Sequence, residues 1–352
     1  MAVGQGSLEA YNSYLAVGRE TTFGTYNTCT SGLDFISASM KTTQESKMIE
    51  QIETGNRTYS KNFRAGKVIE GEIEGYVYAE STAFNYLLAQ AFGGSVTSAA
   101  ATGESSGGAA YDHTYPIGII TDQSYPSISL NMRKGNSAGA KVFQYHGVRV
   151  NEANFSAEID EALKCSFSVI GKDSTLTTND VASAIGVDTL SPLSFIGGRI
   201  SIEAGTLGQV TTTSFWHVQN VEIGISNNLK SDSGSRRIGS DTLDVLPPGI
   251  AALTFNATIR FDTSTAYAAM LANTSFAAEI QFQGDTTMPS SVLKPGIKFQ
   301  FPVLKIADAG DPEIGGPDEM LTSQVTFHVL RDTSSAGGYA MRAIVTNDTS
   351  SY

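Results

Sequence analysis

Two stretches of the chain follow the same order of polar and apolar residues. Residues 38–47, ASMKTTQESK, align with residues 221–230, VEIGISNNLK, at a shift of 183 positions. At the same shift STAF at 81–84 aligns with STAY at 264–267, and the agreement needs no gap. Self-similarity at a fixed shift is the sequence signature of a repeated structural unit. The chain is therefore predicted to be a tandem duplication, and its 352 residues suit two domains.

The repetition continues at other shifts. The matching segments are VFQY (142–145) with KFQF (298–301), CSFSVI (165–170) with VTFHVL (325–330) and, more weakly, GRETTFG (18–24) with EAGTLG (203–208). Each half thus carries a front strand, a long hairpin, a helix, a loop and closing strands. Residues 171–189 are rich in Ser, Thr and Asp without periodicity, which is typical of a connection. We expect a first repeat over 1–172, a linker over 173–190 and a second repeat over 191–352.

Residues 68–78 alternate between two kinds of side chain. The two sets are Ile69, Gly71, Ile73, Gly75 and Val77 on one side and Glu70, Glu72, Glu74, Tyr76 and Tyr78 on the other. A period of two with one acidic side predicts a half-buried strand. Its hairpin partner is predicted at 35–43. The polar stretch between them, 43–66, is predicted to be a long hairpin loop.

The period then changes to that of a helix. Residues 81–92 place apolar side chains at helical spacing, Ser81 can cap the first turn, and Gly93-Gly94 can end the last. The second copy repeats the plan with a strand at 253–261 and a helix at 264–272. With 35 Gly and abundant Ser and Thr, the composition favours short strands joined by turns. The predicted fold is mainly β: two tandem β-sandwich or barrel domains, each with one packed α-helix and a long β-hairpin.

Several classes of chemistry lack their motifs. Cys29 and Cys165 are far apart and fit buried core positions better than a disulfide framework. No histidine has a second ligand residue at metal-binding spacing, and no phosphate loop, dinucleotide fingerprint or nucleophile elbow occurs. We expect no cofactor, no metal and no enzymatic activity. No apolar run suits a membrane helix and residues 1–15 do not resemble a secretory signal, so we expect a soluble protein made in a reducing cytoplasm.

The front segment carries a resemblance to a known family. Residues 14–25, YLAVGRETTFGT, resemble the G-x-E-x-T-x-G-T opening of siphophage tail tube proteins. The order that follows, a hairpin with a long loop and then a helix of the STAFNYLLA type, is similar too. The resemblance implies that each unit lends its hairpin sheet to a closed inner β-barrel, that six units complete a ring, and that rings stack into a tube.

Because the chain is duplicated, the resemblance implies a homotrimeric pseudo-hexameric ring, with a homohexamer as the alternative. It implies a virion protein of the tail, assembled in the host cytoplasm, without a membrane. Its partners would be further copies of itself, the tape measure protein, the tail terminator and the baseplate or tip proteins. DNA would pass through the lumen during ejection without specific binding. The net charge of −12 is compatible with this, since an acidic surface repels phosphate, although solubility alone also explains it.

On that basis the strand face of Glu70, Glu72 and Glu74 is the candidate lumen wall. The alternative is an ordinary solvated strand face, and the second copy has Thr254, Asn256 and Thr258 in this region with no Glu. The candidate ring-stacking cations are Arg57, Lys61, Arg64, Arg236 and Arg237, and their candidate acidic counterparts are Asp311, Glu313 and Asp318. Unpaired surface charges are the alternative for these residues.

Two other functions remain open from the sequence. A tandem β-sandwich adhesin or carbohydrate-binding protein would need an exposed aromatic cluster, and Trp216 between Phe215 and His217 is the candidate. An acid/base hydrolase could use Glu70 and Glu74 as its two carboxylates. Exposure of one strand face accounts for the same alternation, which favours the structural interpretation.

Overall fold

Alternating apolar and polar side chains run through most of the chain, and these stretches form antiparallel strands. The computed structural model describes residues 10–51, 55, 57–104, 108–117, 126–135, 141–186, 191–207, 216–260, 265–289, 291–310, 320–334 and 338–352. The prediction of a mainly β fold is confirmed.

The elements are described in two halves, before and after residue 190. The first half contains β1 (Tyr14–Arg19), β2 (Ser31–Leu33), β3 (Ser37–Met48), β4 (Asn62–Tyr76), α1 (Thr82–Ala91), β5 (Thr97–Ala100), β6 (Tyr111–Ile117), β7 (Ile128–Lys134), β8 (Lys141–Glu158), β9 (Lys164–Gly171) and β10 (Asp173–Thr177). The second half contains β11 (Gly198–Ala204), β12 (Val218–Ser226), β13 (Ala252–Arg260), α2 (Thr265–Leu271), β14 (Ser275–Gln283), β15 (Gly296–Ala309), β16 (Thr322–Leu330) and β17 (Met341–Asn347).

The two halves pair their strands in the same order. In the first half hydrogen-bonded neighbours run β3, β4, β9, β8, β7, β1. In the second half they run β12, β13, β16, β15, β14, β11. Each strand in one series therefore has a counterpart at the same place in the other. The segment predicted as a linker begins with β10, which pairs with β8.

Within the part of the chain that the structure describes, two pairs of strands join the halves. The C-terminal part of β8 pairs with β12, and β17 pairs with β6. The first of these makes one continuous sheet of eight strands in the order β3, β4, β9, β8, β12, β13, β16, β15. The hydrophobic core is continuous as well, because the rings of Phe155 and Phe299 lie 5.0 Å apart across the two halves.

Helix α1 begins and ends where its sequence signals place it. The Ser81 hydroxyl accepts a hydrogen bond from the Phe84 amide at 3.4 Å, and Gly93 and Gly94 follow the last turn at positive φ. Phe84 packs edge-on against Phe155 and Phe167 of the sheet. The predicted helix and its caps are confirmed. Both cysteines are buried and free, as expected.

The hairpin loop predicted over 43–66 is wrong in its length. β3 continues to Met48 and β4 begins at Asn62, so both ends of this polar stretch form a paired ribbon and the loop is shorter than predicted. The backbone ladder supplies hydrogen bonds whatever the side chains are, and polarity alone therefore does not end a strand. For the same reason the stretch 93–111, whose Gly, Ser and Ala content is typical of a loop, contains β5 paired with β6.

The ungapped shift of 183 also needs correction across β4 and β13. Ile73 lies opposite Phe167, and Phe255 lies opposite Phe327 at the matching place in the second half. Ile73 therefore corresponds to Phe255, one residue away from the shift that the sequence suggested. Ala38 lies opposite Ile73 and Ile223 lies opposite Phe255, so Ala38 corresponds to Ile223, two residues away from the predicted Val221. A one-residue slip moves side chains to the other face of a sheet, so strand partners decide the register.

Within the described residues, no helix is both long and apolar enough to span a membrane.

Candidate functional site

Strand β4 presents its glutamates on one face and its apolar residues on the other. Glu70, Glu72 and Glu74 are exposed, whereas Ile69 and Ile73 are buried. The alternation predicted from the sequence is confirmed. The glutamates stand in the eight-strand sheet between β3 and β9, so their face is shared with both neighbours.

The polar face extends from β4 across the joint between the halves. Glu72 lies opposite Ser39 on β3 and Ser168 on β9. Ser168 lies opposite Glu152 on β8, which in turn lies opposite Ser226 on β12. Polar side chains thus follow one another from strand to strand. The register keeps them on one side of the sheet.

The second half contributes carboxylates that the sequence reasoning missed. Thr254 is exposed and Asn256 and Thr258 are half-buried, in line with the absence of Glu on β13. Glu222 on the adjacent β12 lies opposite Asn256, and Asp308 on β15 lies opposite Thr326. Alternation within β12 was visible in the sequence, but only the pairing of strands shows that Glu222 shares the face of Glu72.

We call this surface the polar sheet face. Its exposed carboxylates are Glu70, Glu72, Glu74, Glu152, Glu158, Glu222 and Asp308. Basic residues on the same face are Lys41, Lys164, Arg260 and Lys305. Carboxylates predominate, and the opposite face carries the core. The arrangement separates an acidic solvent-facing wall from an apolar interior over eight strands.

The candidate loop cations fall into two groups. Arg57, Lys61 and Arg64 are exposed at the end of the β3–β4 hairpin. Arg236 instead donates to the backbone carbonyls of Lys67 at 3.0 Å and Asp241 at 2.9 Å.

Arg237 lies 3.6 Å from the Asp244 carboxylate. The second-half loop therefore uses its cations within the chain. The proposed counterparts Asp311, Glu313 and Asp318 lie outside the described residues.

The opening motif forms a buried hydrogen-bond network centred on Glu20. Glu20 is 5% exposed, and its carboxylate accepts hydrogen bonds from the amides of Gly24 at 2.9 Å and Gly147 at 2.8 Å. The hydroxyls of Ser127 and Ser129 donate to it at 2.5 and 2.8 Å. Four donors satisfy a buried carboxylate without a cation. The motif therefore ties the end of β1 to β7 and β8 and has a structural role.

Trp216, the aromatic candidate for an adhesin, packs against the core, and the two candidate hydrolase carboxylates, Glu70 and Glu74, are exposed on β4. Trp216 is half-buried and packs on Phe276 at 5.8 Å and Phe327 at 6.2 Å between ring centres. Its neighbour Phe215 lies outside the described residues. Burial raises the pKa of the Cys165 thiol to about 12, so it is not a reactive thiolate. In the part of the chain that the structure describes, no group of three or more His, Cys, Asp and Glu side chains could hold a metal.

Comparison with known protein families finds a match over most of the chain. The model of a family described as phage tail tube protein matches residues 10–329, which is almost the whole chain. No curated protein matches the chain.

Proposed function

The chain belongs to the phage tail tube protein family, whose members are structural components of the virion tail and assemble into a tube, and we propose how its own residues build that tube. The observation that carries the proposal is the eight-strand sheet with an acidic polar face and a continuous apolar face. Among the described residues its two outer edges, β3 and β15 beyond Lys305, have no second strand partner. An open sheet edge is a template for pairing with another chain. Closure of several such sheets into one barrel removes the edges and encloses the polar face.

We propose that three chains form each ring. Each chain supplies two four-strand sets in the same order, so three chains give a pseudo-sixfold barrel of ~24 strands. This takes the chain to be a tandem duplication with repeats over 1–172 and 191–352 and a linker over 173–190. The shared strand order supports it. A six-chain ring is the alternative.

The polar sheet face becomes the wall of the lumen in this arrangement. Glu70, Glu72 and Glu74 from the first half and Glu222 from the second distribute negative charge around the barrel. Fixed negative charge repels the phosphate backbone, so DNA slides past during ejection without being held. The wall needs no catalytic residue, and we propose that the protein is not an enzyme.

Further assignments follow from the family and the opening motif. The motif at 18–25 supports the siphophage type of tail. The proposed partners are the tape measure protein, the tail terminator and the baseplate or tip proteins, with assembly in the host cytoplasm. Arg57, Lys61 and Arg64 at the hairpin end are proposed to contact acidic residues of the next ring, with Asp311, Glu313 and Asp318 as candidates.

Electron microscopy of the purified protein tests the proposal. We expect negatively stained rings or stacked tubes about 100 Å wide, the order expected for a barrel of this strand number. Native mass spectrometry of isolated rings should give the mass of three chains. A chain that stays monomeric at high concentration, with no ring in any virion fraction, would contradict the proposal. Rings with the mass of six chains would select the alternative stoichiometry.

A further inference from the structure

We propose that the joint between the two halves of one chain is repeated between chains. The C-terminal end of β15 in one copy pairs antiparallel with β3 of the next copy, with Asp308 opposite Ser39 and Ala309 opposite Ala38. The inference rests on the proposed function and adds to it the residues, the direction and the register of the contact.

The joint within the chain supplies the template. β8 lies between β9 and β12, and it places Asn154 opposite Gly224 and Phe155 opposite Ile223. This joint carries an unbroken ladder over seven residue pairs of β8 and β12. It shows how the last strand of one four-strand set accepts the first strand of the following set.

The strand partners show which residues at the two outer edges of the sheet are equivalent to the residues paired at the joint. Asn154 lies opposite Ser166 on β9, and Asp308 lies opposite Thr326 at the same place on β16. On the other strand, Gly224 lies opposite Thr254 of β13.

Ser39 lies opposite Glu72 at the same place on β4. Asp308 therefore corresponds to Asn154 and Ser39 to Gly224. The neighbouring pair, Ala309 with Ala38, follows from the step of one residue.

In the described part of the single chain, both edges have a partner strand on one side only. Among the described residues, β3 pairs with β4 alone, and β15 beyond Lys305 pairs with β16 alone. Ser39 and Asp308 are exposed at these edges. The proposed contact places a hydroxyl beside a carboxylate on the polar sheet face and two small alanines on the other face. The alanine side chains are small enough to allow close approach of the two backbones.

A second contact between copies follows from the equivalence of the two halves, because Ile170 and Leu330 are equivalent residues with different exposure. The loop after β12 covers Ile170 with Leu229, Leu243 and Leu246, so that Ile170 is 9% exposed. The residue at the same place on β16 is Leu330, which is 40% exposed.

The end of the β3–β4 hairpin carries exposed apolar side chains that could cover Leu330 of another copy. Met48, Tyr59 and Phe63 are exposed, although large apolar residues are usually buried. This hairpin occupies the place in the first half that the covering loop occupies in the second. We infer that it covers Leu330 of the adjoining copy, as the second-half loop covers Ile170 within the chain.

Cysteine cross-linking of assembled tubes tests the register. The variant Ser39→Cys with Asp308→Cys should form disulfides between copies on mild oxidation, giving a denaturing-gel ladder that ends at three chains. The two positions stand at opposite edges of an eight-strand sheet, ~34 Å apart at the usual strand spacing, so a bond within one chain is excluded. The native Cys29 and Cys165 are buried and do not compete.

The matched control keeps the cysteine at position 39 and places the other on the neighbouring strand, β16, instead of on β15. Thr326 lies beside Asp308 on the same face, so Ser39→Cys with Thr326→Cys would have to span ~10 Å and should stay unlinked. Tubes of the first variant that yield only monomer, or equal ladders from both variants, would overturn the register while leaving the tube function intact. A wild-type chain that forms no rings would overturn both.

The covered surface is tested by Leu330→Asp. Because Leu330 is partly exposed in the single chain, the melting temperature of the unassembled variant should stay within a few degrees of wild type, while ring formation is lost. Val292→Asp, at another exposed apolar residue, serves as the control and should assemble normally. Normal tubes from Leu330→Asp would overturn this part of the contact.

Discussion

At the scale of single residues, Glu20 shows how a short motif acts through burial. Its sequence context suggested only a family resemblance, because a glutamate near the start of a chain has no evident partner. The structure supplies four donors from three separate segments, and two of the donors are backbone amides. Three of the four donors, from Ser127, Ser129 and Gly147, lie more than a hundred residues away along the chain, which sequence spacing does not reveal.

We predict that Glu20→Gln destabilises the unassembled chain by about 2–3 kcal/mol. The amide group can replace only one carboxylate oxygen, so the donors facing its nitrogen lose their acceptor while still buried. Urea unfolding measures the change. Glu222→Gln on the exposed polar sheet face is the matched control, with an expected change below about 0.5 kcal/mol. Equal effects of the two substitutions would contradict the role assigned to Glu20.

His113 predicts a pH dependence of stability. Burial lowers its pKa from the ordinary 6.5, and the neutral ring donates from Nε2 to Asn347 at 2.9 Å and bonds Ser98 through Nδ1 at 2.8 Å. Below pH 6.5 the unfolded state binds the proton more readily than the folded state. The stabilising contribution of neutral His113 is therefore complete above pH 6.5 and is lost as the pH falls through the lowered pKa of the folded state.

Urea midpoints at pH 7.5 and pH 5 measure this effect. We expect a lower midpoint at pH 5 for the wild type and a smaller difference for His113→Gln. His146, whose pKa burial also lowers, maintains part of the difference. His328→Gln, at an exposed position, should retain the wild-type difference. An unchanged pH difference in His113→Gln would show that this ring is not responsible.

At the scale of elements, features that depend on residues close together in the sequence were predicted better than features that depend on distant residues. Alternation gave the faces of β4, and the Ser81 cap with Gly93 gave both ends of α1, because these depend on near neighbours in the sequence. The length of the β3–β4 ribbon was missed, since its hydrogen bonds join residues of two separated strands. The two helices also differ in a way that their similar sequences conceal: Phe84 of α1 is buried, whereas Tyr267 of α2 is 42% exposed.

This difference predicts unequal costs of truncation. Phe84→Ala should destabilise the unassembled chain by about 3–5 kcal/mol because it leaves a cavity between Phe155 and Phe167. Tyr267→Ala at the corresponding position should cost less than about 1 kcal/mol. Denaturant unfolding of both variants makes the comparison. A similar loss in the two would contradict the packing described for α1.

The hairpin end predicts how rings stack. Reversing charge in the variant Arg57→Glu with Arg64→Glu should leave single rings intact but shorten the tubes, and more so in low salt, where charge interactions are least screened. Tube length in electron micrographs is the measurement. Arg237→Glu is the control, because that side chain already pairs with Asp244 within the chain. Full-length tubes from the double variant would exclude these cations from stacking.

At the scale of the whole molecule, the sequence predicted two similar halves and missed how they meet. Low-identity repetition gave the order of elements, but a shift counted along the chain misplaced β12 by two residues and β13 by one. Only the strand partners corrected it. The carboxylates Glu152 and Glu222 were missed for the same reason. They join the face of Glu72 through the β8–β12 pairing, whose residues lie far apart in sequence. The joint between the halves, on which the account of assembly depends, is thus a product of folding.

The most direct test of this account is a cryo-electron microscopy reconstruction of the assembled tube at side-chain resolution. It should show three chains per ring, the polar sheet face with Glu72 and Glu222 lining the lumen, and β3 of each chain hydrogen-bonded to β15 of its neighbour. A reconstruction in which the polar sheet face points outward, or in which the edge of β3 has no strand beside it, would contradict the account.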